Sequence, residues 1–264
     1  MTPPASPPEH TGLAVTWLGH ASVLVELDGQ RLLFDPVLRP RVGPLTRIAP
    51  LIGPEAIPPL SAVLLSHLHA DHADLPSLRR LQRRGALIVP EGAGGWMRAK
   101  GLRHLRELRA GQTAVVEGLA ITATPAVHGR ARRPLGPACD PVGYLVSGSR
   151  SVYFAGDTDL FEDMAELRGR VDVALLPVWG WGRSVGPGHL DPERAAAAAA
   201  LISPSVAIPI HWGTLTMGPR RLAASDQERP ARRFLELMAQ HAPSVRALRL
   251  AVGERVAPLG EERQ

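Results

Sequence analysis

Residues 62–72 read Ala-Val-Leu-Leu-Ser-His-Leu-His-Ala-Asp-His. A short, continuous apolar run, Ala62 to Ser66, stops at three histidines and an aspartate. Runs of this kind belong to buried strands. The chain must therefore bury a strand inside a sheet and present a polar cluster at the strand's end, where functional loops sit. In extended chain, residues two apart point the same way, so His67 and His69 can meet one ion. Asp71 and His72, past the strand end, can turn toward a second ion. The competing reading is a solvated polar loop, and a chance H-x-H-x-D-H match has odds on the order of one in a thousand.

The rest of the chain supplies a frame for such a strand. Leu13–Leu18, Val23–Leu27 and Arg31–Phe34 read as strands, with Asp28-Gly29 as a hairpin turn. Residues 36–60, rich in Pro and Gly, read as a long loop. A helix is expected over about Leu75–Arg84 and a strand over Ala86–Val89. Two further hairpins turn at Glu117-Gly118 and Gly148-Ser149, and Val171–Leu176 and Val206–Ile210 are apolar strands. Asp191-Pro192 is a helix start, with Asp as N-cap and Pro in the first turn, ahead of six alanines at 195–200. Arg229–His241 reads as the last helix and Val245–Val252 as the last strand. Strands with interspersed helices fit an α/β architecture of two sheets sandwiched between helices. Residues 1–10 read as a disordered leader, and 11–264 as one domain.

Three more ligand-type residues stand at strand ends: His128 after Ile121–Val127, Asp157 after Tyr153-Phe154-Ala155-Gly156, and His211 after Val206–Ile210. If these ends share one side of the sandwich, seven residues converge. A lone cysteine, Cys139, excludes an intrachain disulfide and a thiolate cluster, and reads as a loop residue. The net charge of +5 is nearly all arginine, since Lys100 is the sole lysine. The arginines are scattered, so they attract anions without marking a nucleic-acid module. No apolar run reaches the roughly 20 residues of a membrane span, and the N-terminus lacks signal-peptide blocks, which points to the cytoplasm.

H-x-H-x-D-H, an isolated later His, an Asp after Gly and a late His resemble the metallo-β-lactamase superfamily, in order and approximate spacing from about Val15 to His211. Trp17-Leu18-Gly19-His20-Ala21-Ser22, Gly188-His189-Leu190-Asp191-Pro192-Glu193 and Ile210-His211-Trp212-Gly213-Thr214 resemble the branch with ascorbate-6-phosphate lactonases and N-acylphosphatidylethanolamine-hydrolysing phospholipase D. The resemblance implies an αββα sandwich and a dinuclear metallo-hydrolase. It implies a first metal on His67, His69 and His128, a second on Asp71, His72 and His211, and Asp157 bridging both.

Five neutral imidazoles, two carboxylates and a metal-bridging hydroxide would leave two dications with about +1, a centre suited to a small anionic substrate. Zinc is the first expectation for imidazole-rich ligation, with Mn2+ or Fe2+ as alternatives. The hydroxide would attack an ester, lactone or phosphodiester, with Asp71 orienting water. His189 reads either as a substrate contact and proton donor or as a loop histidine. Asp35 and His20 read as supports of the ligands or as turn residues. Trp179 and Trp181 read as pocket walls or as a seal on the sandwich edge. His10, His104 and His241 read as surface residues. The alternative functions are a phospholipase D-like or nucleic-acid phosphodiesterase and a non-enzymatic metal-binding protein. A di-iron oxidoreductase would need a flavin module for which the chain has no room.

Overall fold

The structure is a computed structural model describing residues 12–83, 85–132, 136–182, 184–217 and 224–260, with side chains from 226 onward in the last segment. The expected leader, residues 1–10, lies outside the described residues. In chain order the strands are β1 (Ala14–Gly19), β2 (Ser22–Leu27), β3 (Gln30–Phe34), β4 (Arg41–Val42), β5 (Leu45–Arg47), β6 (Ala62–Leu64), β7 (Leu87–Pro90), β8 (Leu105–Leu108), β9 (Thr113–Val116), β10 (Leu119–Pro125), β11 (Val142–Ser147), β12 (Ser151–Phe154), β13 (Val173–Pro177), β14 (Val206–Ile210), β15 (Leu215–Met217), β16 (Arg246–Ala247) and β17 (Arg255–Val256). The α-helices are α1 (Leu75–Arg80), α2 (Gly94–Ala99), α3 (Pro192–Ile202) and α4 (Ala224–His241).

Alternation along the strands builds the layers. In β2, Val23, Val25 and Leu27 face one core, and Leu24 faces another. In β3, Leu32 and Phe34 take the first side and Leu33 the second. Successive strand residues point to opposite faces, so each strand here is apolar on both. The first sheet runs β17-β1-β2-β3-β6-β7-β8 and the second β16-β14-β13-β12-β11-β10-β9. They meet face to face, with the Phe34 and Phe154 rings stacked at 4.7 Å. The outer face of the first sheet packs on Leu78 of α1 and Met97 of α2. The second is covered by α3 and α4, where Ala195, Ala196, Ala198 and Ala199 are fully buried and admit close approach. Asp191 caps α3 by accepting from Arg194 N at 2.8 Å, worth about 1 kcal/mol.

The pairings fix which ends meet. β1, β3 and β6 run the same way, because β1–β2 and β2–β3 are antiparallel and β3–β6 is parallel. By the same logic β10, β12, β13 and β14 run together. The site grows from the C-terminal ends of these strands.

Several expectations are corrected. Residues 36–60 carry β4 and β5, which join β15 in a three-stranded sheet. The helix expected to reach Arg84 ends at Arg80, and α2 and β8 were not foreseen. The last helix starts at Ala224 and carries Pro230 inside it. The expected strand Val245–Val252 shortens to Arg246–Ala247, followed by a separate Arg255–Val256 pairing with β1. Among the described residues, no helix is long and apolar enough to cross a membrane.

Candidate metal centre

His67 follows β6, Asp157 follows β12 after a Gly turn, and His211 follows β14 directly. His128 stands three residues beyond β10. Asp35 follows β3 and His20 follows β1. His20, Asp35 and His211 all have positive φ, at 53°, 39° and 65°. Such backbone is uncommon for residues with a Cβ and persists where its surroundings enforce it. Gly156 (φ +62°) is required by contact as well, since a Cβ there would lie 2.7 Å from Ser66 Cβ.

The side chains converge in two groups. Donor atoms of His67, His69 and His128 lie within 4.8 Å of one another, as do those of His20, Asp71, His72 and His211. Asp157 reaches both. Its Oδ2 is 3.2 Å from His72 Nε2 and 3.9 Å from His128 Nε2, and its Oδ1 is 3.2 Å from His211 Nε2. All seven residues singled out in the sequence are therefore brought together.

The outer nitrogen of each of five imidazoles is committed. A carbonyl oxygen can only accept, so His69 Nε2 donates to Ala131 O (3.0 Å), His128 Nδ1 to Gly188 O (2.6 Å) and His211 Nδ1 to Trp179 O (2.6 Å). His72 Nδ1 donates to Asp35 Oδ2 at 2.7 Å. Ser66 Oγ donates to the same carboxylate at 2.5 Å, so it accepts from His67 Nδ1 at 2.9 Å. Asp35 thus orients one imidazole directly and a second through Ser66. The inward nitrogens are left facing each other: His69 Nδ1 and His128 Nε2 at 2.9 Å, and His72 Nε2 and His211 Nε2 at 3.2 Å. His67 Nε2 and Asp157 Oδ1 are buried with no hydrogen-bond partner.

Electrostatics agree. Burial pulls His67 well below its ordinary range, lowers His69 and His128, and brings His211 to about 3, so these rings are neutral. Burial would raise Asp157, but His211 and His72 outweigh it and hold the carboxyl well below the usual range. Asp71 is held down likewise, by the hydrogen bond from His20 and the charges of His72 and His20 against its burial. Burial would lower His72, yet Asp157 and Asp35 raise it well above normal. Neutral inward lone pairs, ionised carboxylates and a ring that holds a proton between two carboxylates describe a pocket built for cations. The donor set fits a divalent metal.

The chain carries a further sign of its kind. Residues 30–212 match the family model described as the beta-lactamase superfamily domain. The chain belongs to the metallo-β-lactamase superfamily. It is 38% identical to a metal-dependent hydrolase of Methanopyrus kandleri over 76% of this chain and 85% of that protein. It is 32% identical to N-acyl-phosphatidylethanolamine-hydrolyzing phospholipase D 1 of Caenorhabditis elegans, over 79% of this chain and 66% of that one. A solved metallo hydrolase from Ignicoccus hospitalis superposes with a TM-score of 0.71 at 25% identity, covering 92% of this chain and 97% of that one. The chain is a metal-dependent hydrolase of this superfamily with the αββα sandwich expected from its sequence.

The remaining candidates divide. His189 Nε2 lies 3.5 Å from Asp157 Oδ2 and its ring meets His128 edge-on at 4.6 Å, so it borders the centre. His20 Nε2 is 3.1 Å from Asp71 Oδ2, while its backbone oxygen accepts from Trp17 Nε1, so it has both the roles the sequence left open. The two tryptophans make different contacts. Trp181, partly exposed, donates from Nε1 to Asp71 Oδ2 at 2.9 Å. Trp179 lines a cavity of about 450 Å³ with Pro192, Glu193 and α4 residues, away from the ligand atoms, and serves His211 through its carbonyl. His104 and His241 are exposed, and His10 lies outside the described residues. Sequence reasoning missed Ser66, Ala131, Gly188 and Arg132. Arg132 Nη1 donates to Leu68 O (2.6 Å) and Ala73 O (3.1 Å), clamping both ends of the His67–His72 segment. Carbonyl partners leave no mark in a sequence, but Ser66 beside His67 was a readable one.

Proposed function

We propose that the centre is dinuclear, with His67, His69 and His128 holding one divalent cation, Asp71, His72 and His211 a second, and Asp157 shared. The observation that carries this reading is the set of five imidazoles whose outer nitrogens are fixed by hydrogen bonds and whose inward nitrogens converge, four of them neutral and the fifth, His72, holding a proton that a cation would replace. Outer partners of this kind set tautomer and basicity in metal sites. Zinc is the best match to the imidazole-rich donors, ahead of manganese and iron. When bound, such ions supply a water nucleophile at neutral pH and polarise the electrophile.

The protein's own groups do the rest. Asp157, buried and ionised, balances charge between the two groups. Asp71, held by His20 and Trp181, keeps one carboxylate at the second group's edge and orients the attacking water. His189, 28% exposed in its side chain and next to Asp157, stands on the open side, where it donates a proton from Nε2 to the leaving oxygen. Its Nδ1 faces Gly186 O and Pro187 O, both at 3.3 Å, which favours the tautomer with a proton on Nδ1 once Nε2 has given its own away.

The reaction is hydrolysis of a small anionic ester, lactone or phosphodiester. The phosphodiester arm draws support from the C. elegans relative, whose name assigns it phospholipase D hydrolysis of an N-acyl phosphatidylethanolamine. The small, anionic substrate class follows from the net charge of about +1 expected for the loaded centre. The test is metal quantification of the purified protein followed by a panel of lactones, phosphodiesters and acyl esters. Two metal equivalents with turnover of one panel class is expected. Full metal loading with no turnover across the panel would leave a metal-binding protein without this activity.

A further inference from the structure

One oxygen of Asp71 is held by two donors far apart in sequence. Oδ2 accepts from His20 Nε2 at 3.1 Å and from Trp181 Nε1 at 2.9 Å. The donors lie 51 and 110 residues away in sequence, one at the end of β1 and the other in the loop after β13. Two N–H donors use both lone pairs of that oxygen.

His20 is held with unusual completeness. Its N–H donates to Thr214 Oγ1 at 2.7 Å, and its carbonyl accepts from Trp17 Nε1 and His211 N, both at 2.9 Å. Its ring lies 3.8 Å from that of His211, and it is 1% exposed with φ +53°. A buried ring locked into left-handed backbone indicates that its direction matters.

We propose that His20 and Trp181 are positioning residues that together saturate Asp71 Oδ2 and select Oδ1 as the oxygen offered to a cation. The inference rests on the dinuclear reading above. The rival role for His20 is ligation, because its Nε2 lies within 4.8 Å of the donor atoms of Asp71, His72 and His211. His20 Nε2 meets Asp71 Oδ2, an oxygen also held by Trp181, whereas the inward nitrogens of His72 and His211 each lie 3.2 Å from Asp157, which favours positioning.

The test titrates zinc into metal-stripped wild type, His20→Ala, His20→Gln and Trp181→Phe against a competing chelator, with thermal melting as a fold control. Cobalt absorbance spectra report the geometry of each ion. Trp181 is partly exposed, so Trp181→Phe keeps the fold even where His20→Ala does not. The expected result is two ions in every variant. One of the two affinities falls about 10–100-fold in His20→Ala and in Trp181→Phe, as for other outer-sphere partners, while the other is unchanged. His20→Gln, whose amide N–H mimics Nε2–H, recovers most of the loss. Unaltered affinities in both single variants would overturn the inference. So would a His20→Ala protein that stops at one ion under saturating metal while Trp181→Phe matches wild type, because His20 would then be a ligand. A wild type that never takes a second ion overturns the dinuclear reading, and this inference with it.

Discussion

The two halves of the metal centre are built differently. Of His67, His69 and His128 only His69 opens to solvent, the His128 side chain being 2% exposed, and their outer partners are a serine hydroxyl and two loop carbonyls. His20, Asp71, His72 and His211 are all buried, and His72 leans on the Asp35 carboxylate. One half opens to solvent and is strapped from outside by residues 129–132. The other is packed into the sandwich mouth by β1, β14 and Trp181. In the dinuclear reading proposed above, substrate would approach from the His69 side, and Asp157, close to His128, His72 and His211, would span the two groups.

Substitutions can break this contrast. Asp157→Ala removes the one residue common to both halves, so metal content falls by an equivalent or more and kcat/KM falls by at least about 10³-fold. Plasma emission measurements and steady-state kinetics read both. His189→Ala acts on the open side alone: kcat falls roughly 10²–10⁴-fold while both metal equivalents remain, if it donates the leaving-group proton. Loss of metal in that variant would make it a ligand instead.

The halves should also separate thermodynamically. Asp35→Asn weakens the ion on His72 about 10–100-fold through the lost carboxylate partner. Arg132→Ala frees the segment carrying His67 and His69 by removing bonds to Leu68 O and Ala73 O, which costs roughly 1–3 kcal/mol of local stability. Chelator titration should show Asp35→Asn lowering the affinity at His72 most, with a smaller loss at His67 through Ser66, whereas an equal decrease in both would mean the halves behave as one unit.

The smallest effect concerns Cys139, which is buried outside both halves. Burial first, then Asp140, pushes its thiol from 9.0 to about 12. A raised pKa favours the neutral thiol in the folded state. That stabilisation is complete below pH 9.0 and disappears as pH rises through about 12. Iodoacetamide at pH 8 should leave the native thiol nearly untouched and label it readily in urea. Rapid native labelling by mass spectrometry would show the site to be open.

Half of the centre was legible because it is contiguous. Ser66 to His72 share one strand end, where side-chain alternation makes geometry local. His128, Asp157 and His211 were reachable because each follows an apolar strand, and the common direction of β10, β12 and β14 brings those ends to one edge. The His20–Asp71–Trp181 contacts were not legible, since they depend on a left-handed turn and on a loop crossing from the other sheet. The Trp179–Trp181 pair stayed between two roles because a Gly-rich loop does not fix which way its aromatics point. α2 hid behind the paired glycines at its start, Gly94-Gly95, which are poor helix formers. The strand expected at 245–252 shortened because its register with β14 covers Arg246 and Ala247, with Leu248 N adding one bond to Ala207 O.

The most direct measurement is anomalous X-ray diffraction from crystals grown with zinc. Two peaks are expected, one bonded to His67 Nε2, His69 Nδ1 and His128 Nε2, the other to Asp71 Oδ1, His72 Nε2 and His211 Nε2, with Asp157 touching both. A single peak at full occupancy, or an ion bound through His20, would contradict this arrangement.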